Sequence, residues 1–160
     1  MVRQGSAVRG FTLIEMMITL LIIGVLALIA GPFTINWMHL SDMQRAKGQL
    51  MQAHGVARAA ALRNSAALLN ADPDNPVAVT AIRLDTDSER LTVVRCSSDG
   101  TCNEPPFWSE QLPANVRLTF DDDDTQVEVK LDNTGRILGS HSWLNYQISK
   151  GGQREEGALY

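Results

Sequence analysis

Apolar and polar positions along this chain change their period twice, and each change marks an element. Met16–Ile35 is a run of twenty residues with no charged side chain. As a helix it would be roughly 30 Å long, the thickness of a hydrocarbon core. From residue 36 onward the pattern becomes one-sided. Leu40, Met43, Ala46, Leu50, Ala53, Ala57, Ala61 and Leu68 recur close to helical spacing, with Asp42, Arg45, Lys47, Arg58 and Arg63 on the other side. Phe11–Leu69 therefore reads as one long helix, apolar all round in its first half (11–35) and amphipathic in its second (36–69). Gly24, Gly31 and Pro32 interrupt it. A proline inside a helix costs about 3 kcal/mol, so a kink or unwound stretch is expected at Gly31-Pro32.

Asn70–Pro76 is a helix stop and loop by composition. After it the period falls to two. Val116, Leu118 and Phe120 alternate with polar residues, as do Val127, Val129 and Leu131, and Leu144, Tyr146 and Ile148. Val77–Leu84 and Leu91–Cys96 are less regular but rich in β-formers. Turn signals fall at Ser98-Asp99-Gly100, Pro105-Pro106, Asp121–Asp124 and Asn133-Thr134-Gly135. The expected class is α+β, a long N-terminal helix packed on an antiparallel β-sheet head spanning 70–160.

Charge sharpens this outline. Residues 70–160 hold eight basic and sixteen acidic residues, a net of −8, whereas residues 36–69 carry a net of +3. Neither value suits a nucleic-acid-binding domain, which shows a basic face. Acid and base on different parts of one subunit offer copies or partners a mutual attraction. Arg3 and Arg9 precede the apolar run, and Asp42 is the first charge after it. The positive-inside rule then leaves the N-terminus in the cytoplasm and the head outside.

Cys96 and Cys102 are the two cysteines. As metal ligands they lack two partners at workable spacing, since His39, His54 and His141 are scattered. Export favours a disulfide that closes the Ser-Asp-Gly turn. Four consecutive aspartates, Asp121–Asp124, raise a calcium loop, but without an interior glycine they read more simply as a solvated turn. Phe107, Trp108 and Trp143 read as sheet core rather than a ligand face. Ser140-His141-Ser142 lacks a third partner, and no phosphate loop or metal spacing appears. No catalytic residue, cofactor or metal is assigned, and nothing in the sequence supports catalysis.

Glu15 is the sharpest single residue. A carboxylate at the edge of an apolar helix costs ~2.5–3.5 kcal/mol at the membrane centre and little at its interface. A secretory signal peptide places its cleavage site behind the apolar run. Here the small residue at a plausible cut, Gly10, stands before the run, and Ala27 and Ala30 are spaced wrongly for a cut behind it. Gly10-Phe11-Thr12-Leu13-Ile14-Glu15 resembles the type III signal of type IV pilins and type II secretion pseudopilins. Ala57-Arg58-Ala59-Ala60-Ala61-Leu62-Arg63 is similar to a stretch of the FimT/GspH-type minor members, and Asp132-Asn133-Thr134-Gly135-Arg136-Ile137 to their polar turn before a late strand.

The resemblance implies a type IV pilin-like fold and a role in assembly. Residues 1–10 would be a leader, cut between Gly10 and Phe11 by a prepilin peptidase, with Phe11 then N-methylated. Glu15, fifth in the mature chain, would pair with a neighbour's terminal amine. Pro32 matches a position where pilin helices unwind in filaments. The implied protein is a single-pass inner-membrane subunit with a periplasmic head. Its partners would be an assembly platform and other pilin or pseudopilin subunits, in a pilus or a secretion pseudopilus. Relatives that capture DNA use a basic tail, whereas this chain runs Gln153-Arg154-Glu155-Glu156-Gly157-Ala158-Leu159-Tyr160. That departure and the acidic head argue against DNA as a partner.

Overall fold

The computed structural model describes residues 10–68, 76–121, 127–139 and 143–160, with the side chains of 30–33 left aside. It contains one long helix followed by antiparallel strands, the expected α+β class. Two compact units divide the chain, Met1–Met38 and His39–Tyr160.

In the first unit, α1 (Leu13–Arg63) begins at Leu13 and is long and apolar enough to cross a membrane. Its large apolar side chains lie open on all sides, from Leu13 and Ile14 to Trp37 and Met38. Helical backbone continues through Gly31 and Pro32, so the expected break is not seen in the backbone of the isolated subunit.

The second unit contains the rest of α1 and seven strands. β1 (Thr80–Asp85), β2 (Arg90–Arg95), β3 (Trp108–Gln111) and β5 (Glu128–Leu131) form one sheet in the order β3-β2-β1-β5. β4 (Arg117–Phe120), β6 (Leu144–Lys150) and β7 (Gln153–Leu159) form another in the order β4-β6-β7. The amphipathic stripe does what its spacing implies. Met43, Ala46, Leu50, Ala53, Ala57 and Ala61 are buried in one cluster with Ile82, Leu91, Val129, Leu131, Phe120 and Ile148 from both sheets. Four of those six helix positions are alanine, which lets the helix backbone approach the strands closely. Thr80 Oγ1 donates to the carbonyl of Ala57 at 3.1 Å, and Gln49 Nε2 to that of Gln111 at 2.9 Å.

Several expectations need correction. The helix ends at Arg63, six residues before Leu69, because Asn64 adopts a left-handed φ of 39°. Asparagine tolerates that conformation. Its amide donates to the carbonyls of Ala60 and Ala61, and its side chain grips Leu68 by both backbone groups, at 2.6 and 2.9 Å. Leu68 is buried, but through this turn and not through the helix. Leu40, the first member of the stripe, is 47% exposed because it precedes the packed region. Phe107 and Trp143 lie at the surface and are not sheet core, whereas half-buried Trp108 packs against the core cluster.

Two strands were not foreseen, β3 and β7. β7 follows Gly151-Gly152, both at positive φ, as a two-residue hairpin loop requires. A Cβ on Gly151 would collide with the His39 imidazole, so the loop needs glycine there twice over. Lys150 Nζ meets Asp42 at 2.7 Å, and Lys47 Nζ meets Glu155 at 2.6 Å, fastening the hairpin to the helix. Glu155 holds the Lys47 ammonium above its ordinary pKa, through their hydrogen bond first.

Candidate functional site

The candidate site is the first turn of α1 and the peptide in front of it. Gly10, Phe11 and Thr12 precede the helix and are exposed. Phe11 is 77% accessible, and nothing lies within 4 Å of where a Cβ on Gly10 would stand. A protease needs a reachable peptide outside regular secondary structure, and Gly10-Phe11 is one.

Helix starts leave their first N–H groups without partners. Here Thr12 and Glu15 satisfy two of them reciprocally. The Glu15 amide donates to Thr12 Oγ1 at 3.3 Å, and the Thr12 amide to Glu15 Oε2 at 3.5 Å. Met16 N then donates to the Thr12 carbonyl, opening the helical ladder. This is a capping box, and the Thr-x-x-Glu spacing is its signal in the sequence. Both bonds are long, and a carboxylate has about four acceptor positions. Glu15 therefore caps its own helix and remains an open acceptor at an exposed helix end.

A family described as the prokaryotic N-terminal methylation motif matches residues 5–31. The chain thus carries a prepilin-type methylation motif at residues 5–31. The motif is that of a prepilin peptidase substrate. The type IV minor pilin FimU of Pseudomonas aeruginosa shares the fold, with a TM-score of 0.54 at 13% identity over 74% of this chain and 81% of that one. The minor pseudopilin EpsH from the type 2 secretion system of Vibrio cholerae aligns with a TM-score of 0.48 and 13% identity, over 72% and 86% of the two chains. No curated protein sequence matches at a significant level.

The pilin-like head brings together the two stretches singled out beyond the N-terminus. The Arg58 stem lies against Gly135, where a Cβ would come within 2.7 Å of Arg58 Cγ, and Gly135 has a φ of +76°. Asp132, buried beneath, accepts from the Thr134 and Arg136 amides at 2.8 and 2.9 Å and holds the turn closed. Arg58 thus acts in packing. Cys96 and Cys102 form the expected disulfide. Asp99 reinforces that loop by accepting from the Thr101 amide at 3.0 Å and its hydroxyl at 2.7 Å, which hold its carboxyl below the usual range. Half-buried His54 is held below its ordinary pKa by burial, then by nearby Arg58.

Asp122–Asp124 and Ser140-His141-Ser142 lie outside the described residues. Among the described residues no group of three or more His, Cys, Asp or Glu side chains is placed to hold a metal. The C-terminal segment Gln153–Leu159 is strand β7, which completes a hairpin with β6.

Proposed function

We propose that this chain is a minor subunit of a type IV pilus, anchored in the inner membrane by residues 11–35 until assembly, with its head in the periplasm. The observation that carries the reading is the exposed Gly10-Phe11 peptide immediately before a Thr12–Glu15 capped apolar helix, within the stretch that matches the methylation motif. A prepilin peptidase removes residues 1–10, and Phe11 is methylated on its new amine. Glu15, four residues on, then meets the amine of a neighbour as the subunit enters the filament. Pairing a carboxylate with an ammonium is favoured where helices pack side by side and exclude water. The fold shared with a type IV minor pilin supports a structural role for the head rather than a catalytic one.

Mass spectrometry of filaments sheared from expressing cells tests this. Peptides beginning at methylated Phe11, at low abundance beside a major pilin, are expected. The same mature peptide confined to the membrane fraction would make the chain a secretion pseudopilin instead. Gly10→Val is expected to leave a slower-migrating precursor. A chain that keeps Met1, unaffected by Gly10→Val, would be a bitopic protein with an uncleaved anchor and would overturn the reading.

A further inference from the structure

A groove of about 330 Å³ runs between the end of α1 and the edge of the β3-β2-β1-β5 sheet. Val56, Ala59, Ala60 and Arg63 line it from the helix, and Arg95 and Phe107 from the sheet side. The helix positions are spaced three and four apart, so they share one face, apolar for two turns and cationic at its end. The Arg95 guanidinium lies over the Phe107 ring at 4.5 Å. An apolar cleft is therefore bounded by two exposed guanidinium groups.

The charges that face the cleft give this its meaning. Lys47, Arg83, Lys130, Lys150 and Arg154 each sit on a carboxylate. Arg63 and Arg95 sit on no carboxylate among the described residues, a state they share with Arg45, Arg58, Arg90 and Arg136, but these two line one apolar cleft together. Arg63 gains something from the helix C-terminus, but that does not account for Arg95 facing the same cleft. Guanidinium groups recognise carboxylates in a fixed planar geometry.

We infer that this groove docks an acidic segment of a different subunit in the same filament, with its carboxylates on Arg63 and Arg95 and an apolar side chain against Val56, Ala59 and Phe107. The inference rests on the filament reading above. A nucleic acid fits less well. Two cations neutralise few phosphates, one face of Phe107 is already covered by Arg95, and the surrounding head is acidic.

The test uses the full chain in cells that assemble the filament, with a photo-crosslinking residue at Ser65 on the groove rim. An adduct to an acidic segment of another filament subunit is expected. The double variant Arg63→Glu with Arg95→Glu should lower its yield at least about tenfold. Exchanging the crosslinked partner's acids for lysine should restore it, which also shows that the double variant is folded. Adducts to DNA or to a non-acidic segment, or yield unchanged by the charge reversal, would overturn the inference. So would absence of any adduct while the methylated Phe11 form is present, and in that case the filament reading survives. If no methylated Phe11 form is made, the filament reading fails first and the groove proposal with it.

Discussion

Reducing the Cys96–Cys102 disulfide should lower the stability of the head by about 2 kcal/mol. The bond joins residues six apart. In the chain-entropy treatment, closing a loop that short removes about 7 cal/mol/K from the unfolded ensemble, or about 2 kcal/mol at 25 °C. The native loop does not depend on the bond alone. Ser97 N donates to the Thr101 carbonyl at 2.8 Å, Gly100 N to that of Ser97 at 2.9 Å, and Asp99 braces Thr101. Cys96 N also donates to Val79 at 2.9 Å, continuing the β1–β2 ladder by one rung. The reduced loop should therefore keep its shape, and the loss should be of the size set by loop closure.

The assay is urea unfolding of the full chain in mild detergent, oxidised and reduced, followed by tryptophan fluorescence. Comparing two redox states of one sequence leaves the packing of Cys96 and Cys102 against Ala78, Ala81, Val94 and Leu138 intact. The midpoint should fall with the slope unchanged. Identical midpoints would mean that the unfolded loop is already restrained. A loss above about 5 kcal/mol would mean that the bond holds β2 in place, and either result would refute the reasoning.

Gly135→Ala should cost about 1–3 kcal/mol, combining a left-handed alanine with a collision at Arg58; adding Arg58→Ala should relieve only the collision, seen as non-additivity in a double-mutant cycle. Leu50→Ala should cost about 2–5 kcal/mol in urea unfolding, because Leu50 is fully buried, whereas Leu62→Ala on the exposed face should stay within about 0.5 kcal/mol. Between the depressed native pKa of His54 and its unfolded value near 6.5, the unfolded state binds more protons. Stability is therefore fully present above that value and falls as pH drops below it, and His54→Gln should flatten the slope in midpoints measured from pH 7 to 5. Glu15→Gln should still be cleaved before Phe11 but should enter filaments less, read by quantitative mass spectrometry of sheared material; normal incorporation would remove the charge from the assembly step.

Much of the architecture was legible because burial imposes a period. The helix stripe from Met43 to Ala61 and the strands around Leu118, Val129 and Tyr146 each face one core, so their apolar positions recur at 3.6 or at 2. β3 and β7 escaped because they are edge strands. Trp108-Ser109-Glu110-Gln111 and Gln153–Leu159 are mostly exposed or half-buried and are held by backbone register to β2 and β6, which leaves no alternation to read. Gly151-Gly152 was the available signal for the second. The helix end was misplaced because Leu68 is buried in phase with the stripe, while an asparagine cap carries it there by a different route. Arg63 and Arg95 line one groove although they stand 32 residues apart, and no local spacing encodes that.

Glu15 carries one role that the structure shows and a second that belongs to the proposed function. As the third residue of a helix it belongs to a capping box with Thr12, and glutamine would serve there almost as well. As a carboxylate at the entrance of an apolar helix it is costly unless it finds a cation, and glutamine would not serve that need. The geometry reconciles the two. The bond from the Thr12 amide is long, at 3.5 Å, and uses one oxygen, so capping orients the carboxylate without saturating it. The helix begins at Leu13, so Gly10, Phe11 and Thr12 stay outside it and exposed. Under the proposed function, the same four-residue unit would leave the Gly10-Phe11 peptide outside the helix for cleavage and present the acid for the step after it.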